Sequence, residues 1–228
     1  MTRCLLLVAI ATCLLALPVC GHAAEATAAG RTIGLPAPDV GGKLPLEKAL
    51  ATRRSVREFA PGGLTLPQLS QLMWSAQGIT SPEGKRTAPS ARAVYPLAVY
   101  VVANDVAGLA AGLYRYEPKG HALAAVASGD QRASLAAATS RQAFVAGAPL
   151  VVIVTGDSAL AAEKFGPRAE RWVAMETGFV VQNVYLEATA LGLGTVMVGG
   201  FDIAALRRGL ALAAGHEPYA VLPVGRRP

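Results

Sequence analysis

Cysteine is missing from most of the chain. All three cysteines of the 228 residues, Cys4, Cys13 and Cys20, lie near the N-terminus. The rest of the sequence has no side chain for a disulfide, a thiolate nucleophile, an iron–sulfur cluster or a cysteine-ligated zinc ion. Histidine is equally scarce, because only His121 and His216 follow the N-terminal segment, and each stands alone. A lone histidine is a weak signal for a metal ligand, so we expect no metal site.

Charged residues make up only 16% of the sequence, compared with about 25% in an average soluble domain. Lysine and arginine total 21 against 15 acidic residues, which gives a formal net charge of +6. The basic residues form small groups, and no aromatic residues alternate with them as a base-stacking surface requires. We therefore expect no nucleic-acid partner, and a compact anion such as phosphate matches these groups better.

The sequence also lacks a hydrophobic run long enough for a membrane helix. The uncharged run Cys4–Cys20 is shorter than the about 20 apolar residues that a span requires, and Pro18 interrupts it. A basic residue precedes this run and small residues follow it at 21–24, which is typical of a secretory signal peptide. Lipid attachment at Cys20 is a weaker alternative, because a small residue is expected before a lipidated cysteine and the residue there is a bulky valine. We predict that residues 1–24 are a cleaved signal peptide and that the protein is exported to the periplasm.

Beyond the signal peptide, the pattern predicts one domain. Residues 25–44 are rich in Ala, Gly and Pro without periodicity, so we predict a flexible leader before a domain that spans 45–228. Helical and strand patterns follow one another without strict alternation, which favours an α+β fold with a mixed sheet over a doubly wound parallel sheet. The predicted helices are 46–52, a helix from the capping box at 65–68 to Gly78, 131–144, 169–191 and 203–212, and the predicted strands are 95–102, 113–116, 122–126, 149–155, 194–198 and 219–224.

Several common catalytic motifs are absent. The sequence has no phosphate-binding P-loop, no Gly-x-Ser-x-Gly nucleophile turn and no Ser-x-x-Lys pair. A dinucleotide fingerprint begins at Gly192 and Gly194, but Met197 replaces its third glycine and the segment continues into a predicted strand. The sequence therefore indicates neither a Rossmann dinucleotide site nor a hydrolase.

The most informative segment is Arg53–Phe59, which follows the first predicted helix. It contains three arginines and a serine close together, namely Arg53, Arg54, Ser55 and Arg57. Such a group can bind a phosphate while one cation remains for a second interaction. The alternative is a charged turn in solvent, and the cluster by itself does not decide between the two interpretations.

Three further segments could contact a ligand. The loop Pro89–Leu97 combines small residues with two prolines, so its backbone could approach a flat ligand, although a plain connector has the same pattern. Gln182 and Asn183 interrupt a long apolar helix, and their amides need partners on another helix or a ligand, because an unpaired buried amide costs about 1–3 kcal/mol. Gly199 and Gly200 follow a predicted strand and could either admit a ring to the main chain or form a tight turn.

Taken together, these segments resemble one family. The chain is similar to flavoproteins of the nitroreductase superfamily and, within it, to the SagB-type dehydrogenase branch. The resemblance to this branch rests on Ala93 and Tyr95, because many nitroreductases have Asn and Gln at these positions. The matching stretches occur in the family's order and cover most of residues 45–228: Arg53 to Phe59, Pro89 to Val102, Gly112 to Pro118, Lys164 to Trp172, Gly178 to Leu186, Leu191 to Phe201 and Pro218 to Gly225.

The resemblance implies an α+β fold in which an intertwined homodimer binds FMN at two equivalent sites between its subunits. It implies that Arg53 and Ser55 hold the phosphate and ribityl chain, and that Arg57 faces the pyrimidine edge of the ring. A guanidinium there would stabilise the negative charge of the reduced flavin. The other implied cofactor-binding residues are Arg54, the partner-reaching residues Pro89, Ser90 and Ala91, the main-chain groups of Gly199 and Gly200 near N5, and Arg226 beside the phosphate.

The resemblance also implies an FMN-dependent oxidoreductase that transfers two electrons, in ping-pong fashion, from a reduced donor such as NAD(P)H to a small electrophile. Azoline dehydrogenases of the SagB-type branch use a Lys-Tyr pair for proton transfer, and here Phe165 follows Lys164. Lys164 is therefore the candidate catalytic residue, and we do not expect oxidation of heterocycles in peptides. Two other interpretations stay open: a flavin-binding or scaffold protein with low turnover, and a solute-binding module without flavin.

Overall fold

The computed structural model describes residues 30–139 and 142–228, and the predicted signal peptide at residues 1–24 lies outside them. The helices are α1 (Leu46–Thr52), α2 (Leu66–Gln77), α3 (Arg132–Ala138), α4 (Ala143–Gly147), α5 (Ser158–Phe165), α6 (Ala169–Ala190) and α7 (Ile203–Gly209). The strands are β1 (Thr32–Gly34), β2 (Leu64–Thr65), β3 (Leu97–Ala103), β4 (Val106–Ala107), β5 (Gly112–Glu117), β6 (Ala122–Ser128), β7 (Leu150–Asp157), β8 (Leu193–Thr195) and β9 (His216–Arg226).

Seven of the strands form one sheet in the order β1-β6-β5-β3-β7-β9-β8, and each strand is antiparallel to its neighbours. The short strands β2 and β4 pair in parallel, and a parallel bridge joins Ser55 to Thr195 on β8. The predicted α+β fold is therefore confirmed; its strand pairing is mostly antiparallel, and the parallel pairs lie outside the seven-stranded order. The central strands β3 and β7 are buried along almost their whole length, because helices cover both faces of the sheet.

The two faces of the sheet have separate apolar cores. On one face, Leu72 of α2 and Val180 and Val184 of α6 pack against β3, β7 and β9. On the other face, Leu135 of α3 and Leu206 of α7 pack against the opposite side of the same strands. Burying one such side chain stabilises the fold by about 1.5–3 kcal/mol, so the long helix α6 is held firmly on the first face.

Local sequence signals predict the first helices well. Helix α1 has the predicted bounds. Helix α2 begins with the predicted capping box, in which Thr65 Oγ1 accepts a bond from the Gln68 amide and Gln68 Oε1 accepts one from the Thr65 amide. The two bonds satisfy amides that a helix N-terminus otherwise leaves unpaired.

Several segments differ from the sequence-based prediction: α5, β2 and β4 have no predicted counterpart, and the predicted strand 194–198 ends at Thr195. Residues 32–34, within the predicted flexible leader, form β1 and pair with β6, and the Asp39 amide donates to Gln71 Oε1 at 2.9 Å. These partners are distant in the sequence, so composition does not reveal them. The predicted helix 131–144 is divided into α3 and α4 in the described residues.

Helix α6 has 22 residues and is the longest helix of the described chain. Glu170, Arg171, Glu176 and Glu187 interrupt its apolar pattern. Within the part of the chain that the structure describes, no helix combines the length and hydropathy that a membrane crossing requires.

Candidate functional site

The segment Arg53–Phe59, here called the arginine turn, lies along the edge of the sheet that β8 and β9 form. The Val56 amide donates to the Thr195 carbonyl at 2.9 Å, and the Ala60 amide donates to the Arg226 carbonyl at 3.0 Å. These bonds hold the middle of the turn, and the residue that follows it, on the sheet. The second bond also places Arg226 next to the residue that follows the turn.

Two glycines let the arginine turn approach the sheet closely. A Cβ atom on Gly194 would lie 2.7 Å from Val56 Cγ1, and one on Gly225 would lie 2.7 Å from Phe59 Cδ1. Both distances are shorter than van der Waals contact, so a larger residue would displace the turn. Because Val56 is directed at the sheet, Ser55 and Arg57 are left exposed on the outer side.

The guanidinium groups of the turn differ in their surroundings. Arg53 is half-buried, and its Cζ atom lies 5.0 Å from the centroid of the Tyr185 ring, within the range of a cation–π interaction. Arg54 donates through Nη1 to the carbonyls of Ala51 and Arg53, at 3.1 and 2.7 Å. Arg54 therefore braces the turn itself.

Tyr185 of α6 is a site residue that sequence reasoning missed. Its hydroxyl oxygen accepts a hydrogen bond from the Met197 amide at 2.7 Å and lies 3.4 Å from Ser55 Oγ. It thus touches both the arginine turn and the segment that leads to Gly199 and Gly200. No local motif marks this tyrosine, because its contacts are formed with residues far away in the sequence.

Gly199 and Gly200 are both exposed, and they follow the bridge between Val198 and Val221. Neither has a left-handed backbone conformation, and a Cβ atom on Gly200 would meet nothing within 4 Å. A tight left-handed turn therefore does not explain these glycines. Their missing side chains leave the main chain open to a ligand from the solvent side.

The loop Pro89–Tyr95, here called the serine loop, is strained. Arg92, Ala93 and Tyr95 have φ angles of 56°, 55° and 52°, a region that residues other than glycine rarely adopt. The Tyr95 amide donates to Ser90 Oγ at 2.8 Å, and the Ala91 amide donates to Glu176 Oε1 at 2.8 Å. Such strain persists only where other contacts enforce it, and it is often found at functional sites.

A single chain does not bring the two predicted parts of the site together. Tyr185 contacts the arginine turn and Glu176 contacts the serine loop, and both residues belong to α6. At 1.5 Å and 100° per residue, they are about 13.5 Å apart along the helix axis and on opposite faces of it. Pro89, Ser90 and Ala91 therefore lie away from Arg53, Ser55 and Arg57.

Lys164, the candidate catalytic residue, is connected to the serine loop. Its carbonyl accepts a bond from Arg92 Nη1 at 3.1 Å, and its ammonium group pairs with Glu163 at 2.5 Å. The side chain is 43% exposed. Within one chain, Lys164 therefore lies beside the serine loop and not beside the arginine turn.

The two amides singled out on α6 have different environments. Asn183 Nδ2 donates to the Ser75 carbonyl of α2 at 3.0 Å, which is the expected pairing with another helix. Gln182 is exposed, so the prediction of a buried amide is wrong there. A single polar residue in an apolar helix does not reveal which face of the helix packs inward.

The sequence of the chain matches a known protein family. Residues 50–226 match the sequence model of the family described as the nitroreductase family. The chain belongs to the nitroreductase family. The resemblance to that superfamily is therefore confirmed, and family membership makes the protein a flavin-type oxidoreductase.

Two proteins named as putative nitroreductases are similar to the chain. The one from Methanocaldococcus jannaschii is 41% identical over 198 residues, which cover 87% of this chain and 98% of that protein. The crystal structure of the one from Ralstonia eutropha matches with a TM-score of 0.76 at 32% identity, covering 87% of this chain and 90% of that chain.

A second structure shares the fold at lower identity. It is an NADPH:FMN oxidoreductase from Vibrio harveyi complexed with NAD+, with a TM-score of 0.57, 18% identity, and coverage of 79% of this chain and 68% of that chain. At this identity the likeness concerns the fold alone.

The side chains of this nitroreductase-family site fit the phosphate of a flavin. Among the described residues, no ion pair involves Arg53, Arg57 or Arg226, so these cations have no protein counter-ion. A cavity of about 380 Å³ adjoins the end of the turn, where Arg226 and Arg227 line it. Uncompensated guanidiniums beside a hydroxyl are a suitable donor set for a phosphate.

Another cavity of the chain is unrelated to this donor set. It measures about 360 Å³ and lies between α1, α2 and α6, where Leu46, Trp74 and Asn183 contribute to its lining. It contains no residue of the arginine turn. In residues 30–139 and 142–228, no group of three His, Cys, Asp or Glu side chains is placed to hold a metal ion.

Proposed function

We propose that the protein is an FMN-dependent oxidoreductase of the SagB-type branch. It would transfer two electrons, in ping-pong fashion, from a reduced donor such as NAD(P)H to a small electrophile such as a nitroaromatic or a quinone. The observation that carries this proposal is the donor set on the sheet edge. There Arg53 and Arg57 form no ion pair with any residue that the structure describes, and Ser55 is exposed between them.

FMN, when bound, would supply the two-electron chemistry. Arg53 and Ser55 would bind its phosphate and ribityl chain, and Arg226 would add positive charge from the neighbouring strand end. Arg57 would stabilise the negative charge that reduction creates on the pyrimidine side of the ring, which favours reduction. Gly199 and Gly200 would allow the main-chain amides to approach the ring, since neither residue has a side chain of its own, and the space around Gly200 is open.

A homodimer would complete the site. The serine loop and the arginine turn lie on opposite faces of α6, so the loop can serve the site of a second copy. Large apolar side chains are exposed on the helices of this region: Met175 and Phe179 on α6 are 45% and 43% exposed, and Leu46 and Leu50 on α1 are 59% and 51% exposed. Exposed apolar residues at helical spacing favour burial against a partner.

Two further parts of the proposal concern the donor and the compartment. The fold shared with an NADPH:FMN oxidoreductase that was crystallised with NAD+ is consistent with a nicotinamide donor. The N-terminal pattern supports export to the periplasm after cleavage near residue 24. The mass of the protein recovered from a periplasmic fraction tests the proposed cleavage and export, because an uncleaved chain would contradict them.

A second candidate function is flavin binding with little turnover. Phe165 stands where a tyrosine would complete a proton-transfer pair, and the ammonium group of Lys164 is engaged by Glu163. Flavin would then be held without efficient reduction by a donor.

One preparation tests both candidates. The mature protein should be yellow, with flavin absorbance, or should take up FMN after the flavin has been removed. Stopped-flow mixing with NADH and with NADPH should then bleach the flavin band. A colourless protein that does not bind added FMN would contradict both functions, whereas a bound flavin that no nicotinamide bleaches would favour the second.

The Arg57→Ala variant tests the site assignment. Loss of one charge-assisted hydrogen bond should weaken FMN binding by roughly 10- to 100-fold and slow flavin reduction. Arg208→Ala is a matched control, because Arg208 is an exposed arginine on α7, on the other face of the sheet. If Arg57→Ala bound and reduced FMN as the control does, the role of Arg57 would be misassigned.

A further inference from the structure

Tyr185 joins two segments that reach the site by separate routes. The arginine turn enters from α1, while Met197 to Gly200 enters from β8. The hydroxyl oxygen of Tyr185 is the acceptor for the Met197 amide at 2.7 Å, and its ring lies 5.0 Å from the Arg53 guanidinium. One side chain therefore contacts Arg53, a predicted phosphate ligand, and Met197, which lies two residues before the predicted ring contact Gly199.

Tyr185 belongs to helix α6, which is packed firmly against the core. Its neighbours Val181 and Val184 on α6 are buried in the core that this helix forms with α2 and the sheet. Tyr185 itself is only half-buried, and the edge of its ring and its hydroxyl extend from the helix toward the sheet edge. The Arg53 guanidinium and the Met197 amide therefore both contact one side chain of a packed helix.

The separation between these partners matters for a ligand that must contact both. In the proposed function the phosphate binds at Arg53 and the ring lies against Gly199 and Gly200, and the length of the ligand is set by its covalent structure. A displacement of about 1 Å between the two contacts is enough to lose much of the binding energy of such a ligand.

We propose that Tyr185 is a positioning residue of the flavin site. Its hydroxyl sets the path of the chain from Met197 to Gly200, and its ring sets the direction of the Arg53 guanidinium. This inference rests on the proposed function, because it assigns Tyr185 a role toward the flavin that binds there.

Two substitutions separate the two contacts. Tyr185→Phe removes the hydroxyl and keeps the ring, so it should weaken FMN binding by about twofold to tenfold, the usual effect of one hydrogen bond. Tyr185→Leu also removes the ring, and the loss of the cation–π contact should weaken FMN binding by about twofold to fivefold more. Riboflavin has no phosphate, so its affinity should be the same for Tyr185→Leu as for Tyr185→Phe.

A matched control is Tyr114→Phe. The Tyr114 hydroxyl donates to the Ala110 carbonyl at 2.7 Å, so the variant loses the same kind of bond in a turn remote from the arginine turn. Dissociation constants for FMN and for riboflavin are measured by quenching of flavin fluorescence. Hydrogen exchange of the Met197 amide, in the protein without flavin, reports the hydroxyl contact directly and should be about twofold to tenfold faster in Tyr185→Phe but unchanged in Tyr114→Phe.

The outcomes distinguish the inference from the function on which it rests. A wild-type protein that binds neither flavin would overturn the proposed function. If wild type binds FMN but Met197 exchanges at the wild-type rate in Tyr185→Phe, or if Tyr185→Leu weakens FMN and riboflavin equally, the positioning role is overturned. A purely structural role would lower both affinities together, so the ratio of the two constants is the deciding measurement.

Discussion

Glu176 carries a carboxyl group into the interior of the domain, where the residue is only 3% exposed. Burial raises the pKa of this carboxyl group above its usual value of 4.5, while the hydrogen bonds from the Ala91 amide and the Ser90 hydroxyl lower it. The protonated form is therefore more favoured in the folded chain than in the unfolded chain. The same group anchors the strained serine loop, so its titration couples pH to the stability of that part of the proposed site.

This coupling predicts a pH dependence with a definite sign. A raised folded-state pKa means that the contribution of Glu176 to stability is fully present below its unfolded-state pKa of about 4.5 and is lost as the pH rises through the folded-state value. In Glu176→Gln the Oε1 acceptor remains but no longer ionises. The melting temperature of the variant, relative to wild type, should therefore increase between pH 4 and pH 8.

Glu170→Gln changes an exposed carboxylate on the same helix and controls for the change in net charge. A Glu176→Gln variant whose melting temperature runs parallel to wild type over this pH range would show that the buried carboxyl group is not the source of the effect.

At the scale of elements, the arginine turn depends on two strands that carry glycine where the turn crosses them. Gly194 lies on β8 under Val56, and Gly225 lies on β9 under Phe59. The main-chain bond from Val56 to Thr195 has room to form only because these positions have no side chain. The geometry of the proposed phosphate site is thus a property of the sheet edge as well as of the turn.

Gly194→Ala tests this dependence. The added methyl group would lie 2.7 Å from Val56 Cγ1, and such overpacking costs about 1–3 kcal/mol of stability. Denaturant unfolding should show this loss, and FMN should bind more weakly because the turn is displaced. Gly147→Ala is the control, since a Cβ atom there meets nothing within 4 Å. Equal unfolding free energies and equal FMN affinities for the two variants would refute the close-approach argument.

For the whole molecule, α6 connects the two halves of the proposed site and also presents apolar residues to solvent. Phe179 and Met175 are on the exposed side of this helix, near the residue that anchors the serine loop. In the proposed dimer a second copy would cover them, and its serine loop would complete the site at the arginine turn. The proposed dimer and the proposed flavin site are therefore one prediction rather than two.

Phe179→Glu should separate the subunits. A charge placed in the proposed interface costs several kcal/mol when it is desolvated without a partner, so light scattering after gel filtration should show a dimer for wild type and a monomer for the variant. The monomer should also lose FMN. Ile203→Glu, at an exposed isoleucine of α7, is the control for the mass. A monomeric wild-type protein that still binds FMN would contradict the shared site.

The sequence determined the elements whose signals are local. Helix α1, the capping box of α2 and the hairpin of β5 and β6 depend on hydrophobic periodicity and on bonds between near neighbours, and these are visible in a short window. The chemistry of the arginine turn was visible for the same reason, because its three cations and its hydroxyl are adjacent in the sequence.

The tertiary structure decided which of these groups meet. The pairing of β1 with β6, the contact of Tyr185 with Ser55 and the bond from Ala91 to Glu176 join residues far apart in the sequence. No local pattern encodes such contacts, since they arise from the packing of whole elements against a common core. For the same reason, only the fold could place the serine loop and the arginine turn on opposite faces of α6.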